Sequence, residues 1–428
     1  MLDGLWSFAR RHQRKFVIGA GIVGGLYYSG KLLTQRLFEM QNASSKERSA
    51  KENIRRRFDQ NQRDCMFTIM SLLPELSEQV LREVDVERLI AELRAINKPA
   101  PVGERDERDD SATESTESVN GTPLQLHEAT KRTKVEIWED IKLQSFARTL
   151  IAVYAESLLT MLVHIQLNMI GRSSYLDSVV GKYTDDQVTL EGRYESRVAA
   201  ADEQNFLMLS WWFLNRGWRQ LMSQVRAATE QNISGLPLKE RLSHRELSTL
   251  FNDIHIKLRE NGLMQSVPGM LLPLGEECTD EYLESNRLAA SQVFTPAFVR
   301  LLDQMRDVIE STDFTYVFNS CADRLTTQLL ESLQESFPEP VPAPAPSRPL
   351  PPTVEGETAP NLDDVVREFE EFSAAPESRV AVVQLLPRIA REGHQILNGV
   401  PNQYLENVSA SREIQALSAA VYTAEDAI

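Results

Sequence analysis

The sequence predicts an all-α protein: an elongated helical bundle around one long central helix, with a single membrane-spanning helix near its N-terminus. Three observations carry this. From Trp138 to Ile170, apolar residues recur at three- and four-residue steps: Ile141, Phe146, Leu150, Val153, Leu158, Met161, Leu162, Ile165 and Met169. No stretch alternates strand and helix patterns, which argues against a doubly wound sheet. The first thirty residues hold a basic cluster and then an apolar run without charge.

The central helix opens at Lys134 and is expected to end near Ile170, because no Pro or Gly interrupts it and Gly171 stands where a left-handed cap belongs. Its thirty-odd residues span about 50 Å. The totals bound the rest. A chain of 428 residues, 42% hydrophobic and 25% charged, can bury a sizeable core. A formal net charge of -16 argues against a nucleic-acid partner, which needs a basic footprint. Cys65, Cys278 and Cys321 lie far apart, without a CxxC or Cys/His cluster. They support neither a zinc site nor a disulfide framework, and they suit a reducing compartment.

In chain order, Arg10, Arg11, Arg14 and Lys15 form a basic targeting segment within residues 1–15. Phe16, Val17, Ile18, Ile22, Val23 and Leu26 then make the apolar face of an anchor over 16–35, with Tyr27 and Tyr28 as an interfacial belt. A signal peptide and a short core helix are the rivals, but cleavage chemistry is poor at the end of the run. Four basic residues on each side leave the orientation open. A helical body is expected over 36–335. Its Arg55-Arg56-Arg57 stretch suits anionic head groups or simply a solvated face. Met66, Ile69, Met70, Leu73, Leu76, Val80, Leu81, Leu89, Ile90 and Leu93 keep helical spacing, with Pro74 as a kink or a fresh helix start.

Residues 98–133 are acidic and poor in large apolar side chains, which predicts a disordered loop. Residues 174–200 read as irregular and 201–232 as one helix. Trp211, Trp212 and Trp218 read better as core than as a membrane or partner patch. A Ser-x-x-Glu box starts a helix at Ser243, 262–280 reads as a loop, and Phe294–Phe337 gives one or two helices. Nine prolines over 336–361 make an extended linker, and residues 362–428 supply C-terminal helical segments that pack on the body.

Searches for chemistry fail. No nucleophile elbow, phosphate loop, dinucleotide fingerprint or H-E-x-x-H is present, so no enzyme, metal or cofactor is expected. His164, in the apolar spine, reads as a satisfied or solvent-edge histidine rather than a catalytic base. Glu156 is either a buried functional carboxylate or, more simply, an outward-facing one. Trp138, between Lys134 and Lys142 at four-residue spacing, puts an aromatic on one face between two cations. Residue pattern alone favours a core role for it.

Several stretches together resemble the peroxin-3 family. They include Asn61–Cys65, Leu72-Leu73-Pro74, Glu136–Lys142, Ser145-Phe146-x-Arg148, Gln166–Gly171, Arg306-Asp307 with Asp313-Phe314, and Ala419–Tyr422. Residues 98–133 and 336–361 look like insertions against the family pattern. The resemblance implies a body without enzymatic activity, facing the cytosol on a single-pass anchor in the peroxisomal membrane, with transit through the endoplasmic reticulum left open. It implies a role in peroxisome biogenesis, as docking receptor for the cargo carrier peroxin-19. The carrier's amphipathic helix would bind a groove formed by Lys134, Trp138, Ile141 and Lys142 and faced by Leu89, Ile90, Leu93 and Arg94. The alternative is a tether that holds organelle-inheritance or turnover (autophagy) adaptors. Membrane lipids are the remaining expected partner.

Overall fold

The computed structural model describes residues 52–97, 132–183, 199–338 and 378–424. The expected targeting segment and anchor, nearly all of the acidic loop and of the Pro-rich stretch, and residues 362–377 lie outside them. The chain divides into the units Met1–Arg63 and Asp64–Ile428. In the first, residues 52–63 are helical and Arg55, Arg56 and Arg57 are exposed.

The all-α expectation holds, with one long helix at the centre. Helix α1 covers 52–83 and passes through Pro74 without a break, so Pro74 starts no new helix. It is followed by α2 (Val86–Asn97), α3 (Lys134–Tyr183), α4 (Ala200–Met208) and α5 (Ser210–Trp212). A π-helical turn, Phe213–Gly217, joins α5 to α6 (Trp218–Ile233). Then come α7 (His244–Glu260), α8 (Leu263–Leu271), α9 (Glu276–Asn286), α10 (Ala290–Val293), α11 (Pro296–Glu310) and α12 (Thr312–Gln334). The C-terminal helices are α13 (Val382–Asn398), α14 (Gln403–Ser409) and α15 (Arg412–Thr423). A small antiparallel ladder, β1 (Arg241–Ser243) with β2 (Arg379–Ala381), pairs Leu242 with Val380. Sequence periodicity gave no sign of it, because the two strands are only three residues long and far apart in the chain.

Helix α3 is the spine. Every residue from Ser145 to Gln166 is buried. Such a helix is long and apolar enough to cross a membrane by composition, but here it is sheathed by the protein itself. Polar residues survive in it by bonding their own backbone. Ser145, Thr149 and Ser157 donate to the carbonyls of Ile141, Ser145 and Val153 at 2.6, 3.0 and 2.8 Å. The sheath comprises α2, α6, α12, α13 and α15, with α13 making the most extensive contact. Gly393 permits that approach: a Cβ there would stand 2.7 Å from Thr149 Oγ1 and 2.9 Å from Thr149 Cα.

Several boundaries correct the sequence reading. Gly171 is not a cap, because α3 runs on to Tyr183. Arg172 ties the extension down by donating to Gln304 Oε1 at 2.6 Å and Ala424 O at 3.2 Å. Residues 263–271 are helical despite Pro268 and Gly269, because Leu263, Val267, Met270 and Leu271 are all buried. The expected helix over 201–232 is interrupted by the π turn, where Gly217 lies so close to Met270 O that a Cβ would clash. Its tryptophans are structural. Trp212 Nε1 donates to Gly269 O at 3.0 Å and Trp218 Nε1 to Gln79 Oε1 at 2.9 Å.

Candidate functional site

The site begins with a helix cap. Thr133 Oγ1 accepts from Glu136 N at 3.3 Å, while Glu136 Oε2 accepts from Thr133 N at 2.9 Å. This reciprocal box starts α3 and places Trp138 just beyond its first turn. Arg132 pairs with Asp140 at 2.6 Å across the same turn. The sequence signal, Thr-x-x-Glu, was available here as it was at Ser243, where Ser243 Oγ accepts from Glu246 N at 3.2 Å.

Helix α2 starts on Asp85, whose Oδ1 accepts from Arg88 N at 2.8 Å. It is held to α3 by Arg148, which reaches Glu87 Oε2 at 2.6 Å and Oε1 at 3.0 Å. Partial burial pushes the Glu87 carboxyl up, but the hydrogen bonds and charge of Arg148 outweigh it and hold it below the usual carboxylate range.

The predicted residues then sort into two groups. Leu89, Leu93 and Ile141 are buried with Ile137 in the core, so they shape the surface from beneath. Ile90 and Trp138 are only partly buried against that core. Arg94 and Lys134 are exposed. Two residues that the sequence reading did not select join them: Val135 is 69% exposed and Ile96 42%. The last turn of α2 and the first of α3 therefore carry open apolar surface next to open cations.

Lys142 corrects the reading. Expected as a rim cation four residues after Trp138, it is buried. Its ammonium donates to Leu236 O at 2.6 Å and pairs with Glu139 at 2.5 Å. A partner 94 residues away in sequence draws it inward, so it ties the start of α3 to the turn after α6 rather than facing solvent. Trp138 thus has one cation beside it at four-residue spacing, Lys134, not two.

Buried polar groups deeper in α3 were only partly legible. His164 is buried, with Nδ1 3.0 Å from Ser418 Oγ, and burial lowers its titration to about 4. Tyr154 OH meets His255 Nδ1 at 2.5 Å, and His255 Nε2 meets Thr326 Oγ1 at 2.9 Å. Glu156 does not face outward: it is fully buried. Among the described residues no group of three His, Cys, Asp or Glu side chains is placed to hold a metal ion.

These features define an all-helical scaffold on one sheathed core helix, with a half-open tryptophan at that helix's start. The Peroxin-3 family model matches residues 7–424, and the chain belongs to that family. It is similar to Peroxisomal biogenesis factor 3 of Yarrowia lipolytica, with 29% identity over 98% of this chain and 99% of the relative. Peroxisomal membrane protein PEX3 of Komagataella phaffii is 31% identical over 59% of this chain and 58% of its own length. Human Peroxisomal biogenesis factor 3 is 25% identical over 99% and 98%. Membership gives the chain a role in peroxisome biogenesis.

Proposed function

We propose that this chain is a docking receptor at the peroxisomal membrane and that the corner of α2 and α3 receives the short amphipathic helix of the carrier peroxin-19. Trp138 is the anchor, supported from beneath by Leu89, Leu93 and Ile141 and flanked by Ile90, Arg94 and Lys134. The observation that carries this reading is the partial exposure of Trp138 on a helix whose residues 145–166 are all buried. Helix-in-groove recognition needs an apolar anchor with charges at its edge, and Val135 and Ile96 add open apolar surface on α3 and α2. We place the body on the cytosolic side, tethered through residues 16–35. The three free cysteines are in keeping with a reducing compartment.

The test is carrier-helix affinity for the detergent-solubilised full chain. Trp138→Ala is expected to cost about 2–4 kcal/mol, roughly 30- to 1000-fold. Unchanged affinity removes the assignment.

A further inference from the structure

Glu156 stands in the middle of α3 with no exposed surface, and neither of its carboxyl oxygens has a hydrogen-bond partner. Thr160 and His164 follow at four-residue steps on the same helix stripe. Both are buried, and Thr160 Oγ1 and His164 Nε2 are also unpartnered. The elements over this stripe are the C-terminal ones. Thr149, about two turns before it begins, donates to Ile389 O of α13 at 2.7 Å. Tyr404 of α14 lies within electrostatic reach of the Glu156 carboxyl. Ser418 of α15 meets His164.

The groups near the carboxyl are already engaged. Tyr404 OH donates to Glu392 Oε2 at 2.8 Å, and Ser157 Oγ donates to Val153 O at 2.8 Å. Arg388 of α13 lies 3.4 Å from Glu392 and reaches Glu335, just past the end of α12, at 2.6 Å. The charged and titratable groups that this network brings to the stripe include Tyr404, Glu392 and Arg388, with His164 two turns on along α3, and Arg388 is committed to Glu392 and Glu335. A buried carboxylate without a donor or cation from the protein is strongly disfavoured against its neutral acid, and burial raises the Glu156 carboxyl well above its usual range.

We propose that α13–α15 seat on α3 only while Glu156 carries its proton, which makes this packing a proton-linked clasp. Opening exposes the acid, and above about pH 4.3 the released proton passes to solvent, leaving the carboxylate. The sign follows from linkage. From about pH 4.3 up to the folded-state titration point, the closed form holds one proton more than the open form. Rising pH therefore favours opening, about tenfold per pH unit. His164 acts oppositely, but only below about pH 6.5, where its open form takes up a proton.

Hydrogen exchange of residues 382–423 in the detergent-solubilised full chain, corrected for intrinsic rates and followed from about pH 6.5 to 8.5, tests the clasp. The wild type is expected to open about tenfold more per pH unit until its titration point is passed. Glu156→Gln is expected to remove the slope, and the control Glu392→Gln to keep it. A wild type without a slope, a Glu156→Gln variant that retains it, or a slope lost only in Glu392→Gln overturns the proposal. The wild type also gives a readout that needs no variant: the infrared band of a protonated carboxyl persists at pH 7, and its absence overturns the proposal too.

Discussion

Arg148 and Glu87 clasp α2 to α3: the guanidinium is buried while the carboxylate it grips faces solvent. The same guanidinium donates to Ala390 O of α13 at 3.2 Å. One side chain therefore joins three helices, and the helix carrying Leu89 and Leu93 depends on it.

Removing the exposed member of this pair should hurt more than a surface change ordinarily does. Glu87→Gln leaves a buried cation without its counter-charge, and we predict a loss of about 1–3 kcal/mol in denaturant unfolding. Because the folded carboxyl titrates below its unfolded value, its contribution is present above about pH 4.3 and is lost as pH falls through the lowered value. The acid arm of the stability profile should be shallower in Glu87→Gln.

Lys142 and Lys134 should separate stability from binding. Lys142→Met removes the bond to Leu236 O and the pairing with Glu139, so it is expected to lower stability by about 1–3 kcal/mol with little change in carrier affinity. Lys134→Ala is expected to leave stability within about 0.5 kcal/mol and to weaken binding and its salt dependence modestly. Parallel unfolding and titration of both variants decide it. The reverse pattern would put Lys142, not Lys134, at the docking surface.

Close helix approach should be intolerant of a methyl group. In Gly393→Ala the new Cβ meets Thr149 backbone as well as its hydroxyl, and the helices have to part. We predict a loss of about 1–3 kcal/mol by thermal unfolding, and the combination with Thr149→Ala should recover only the part due to the hydroxyl.

The buried histidines predict a weakness toward acid. His164 and His255 both titrate near 4 in the fold because burial disfavours the imidazolium; for His255 the charge of Arg259 adds to it. The unfolded chain takes up those protons below about pH 6.5. Stability from this source is therefore complete above about 6.5 and falls as pH drops toward 4. Unfolding at pH 7 and pH 5 should show this fall, and His255→Gln should reduce it while costing stability at pH 7 through the lost contact with Tyr154.

The parts of this fold that sequence makes legible are those set by near neighbours. The apolar run from Ile141 to Met169 marks the spine, and the Ser243–Glu246 cap marks the start of α7. Local pattern fails where distant partners decide. Gly171 looks like a stop until Arg172 finds Gln304 and Ala424. Pro268 looks like a loop until four apolar neighbours are buried around it. Lys142 turns inward for a carbonyl whose position no spacing rule gives. Glu156 is hidden because α3 is buried on every face from Ser145 to Gln166, so the usual expectation of a solvent-facing stripe does not apply. At the proposed docking corner, family likeness selected Trp138, and only the fold separates the buried residues beneath from the open ones above.

The most direct measurement is fluorine NMR of the detergent-solubilised full chain with its five tryptophans fluorinated, titrated with the carrier's amphipathic helix. Trp138 is assigned through Trp138→Phe. Its resonance should move to a saturating limit while those of Trp212 and Trp218, which are buried elsewhere in the core, stay in place. A carrier helix that binds while the Trp138 resonance stays still would contradict the account.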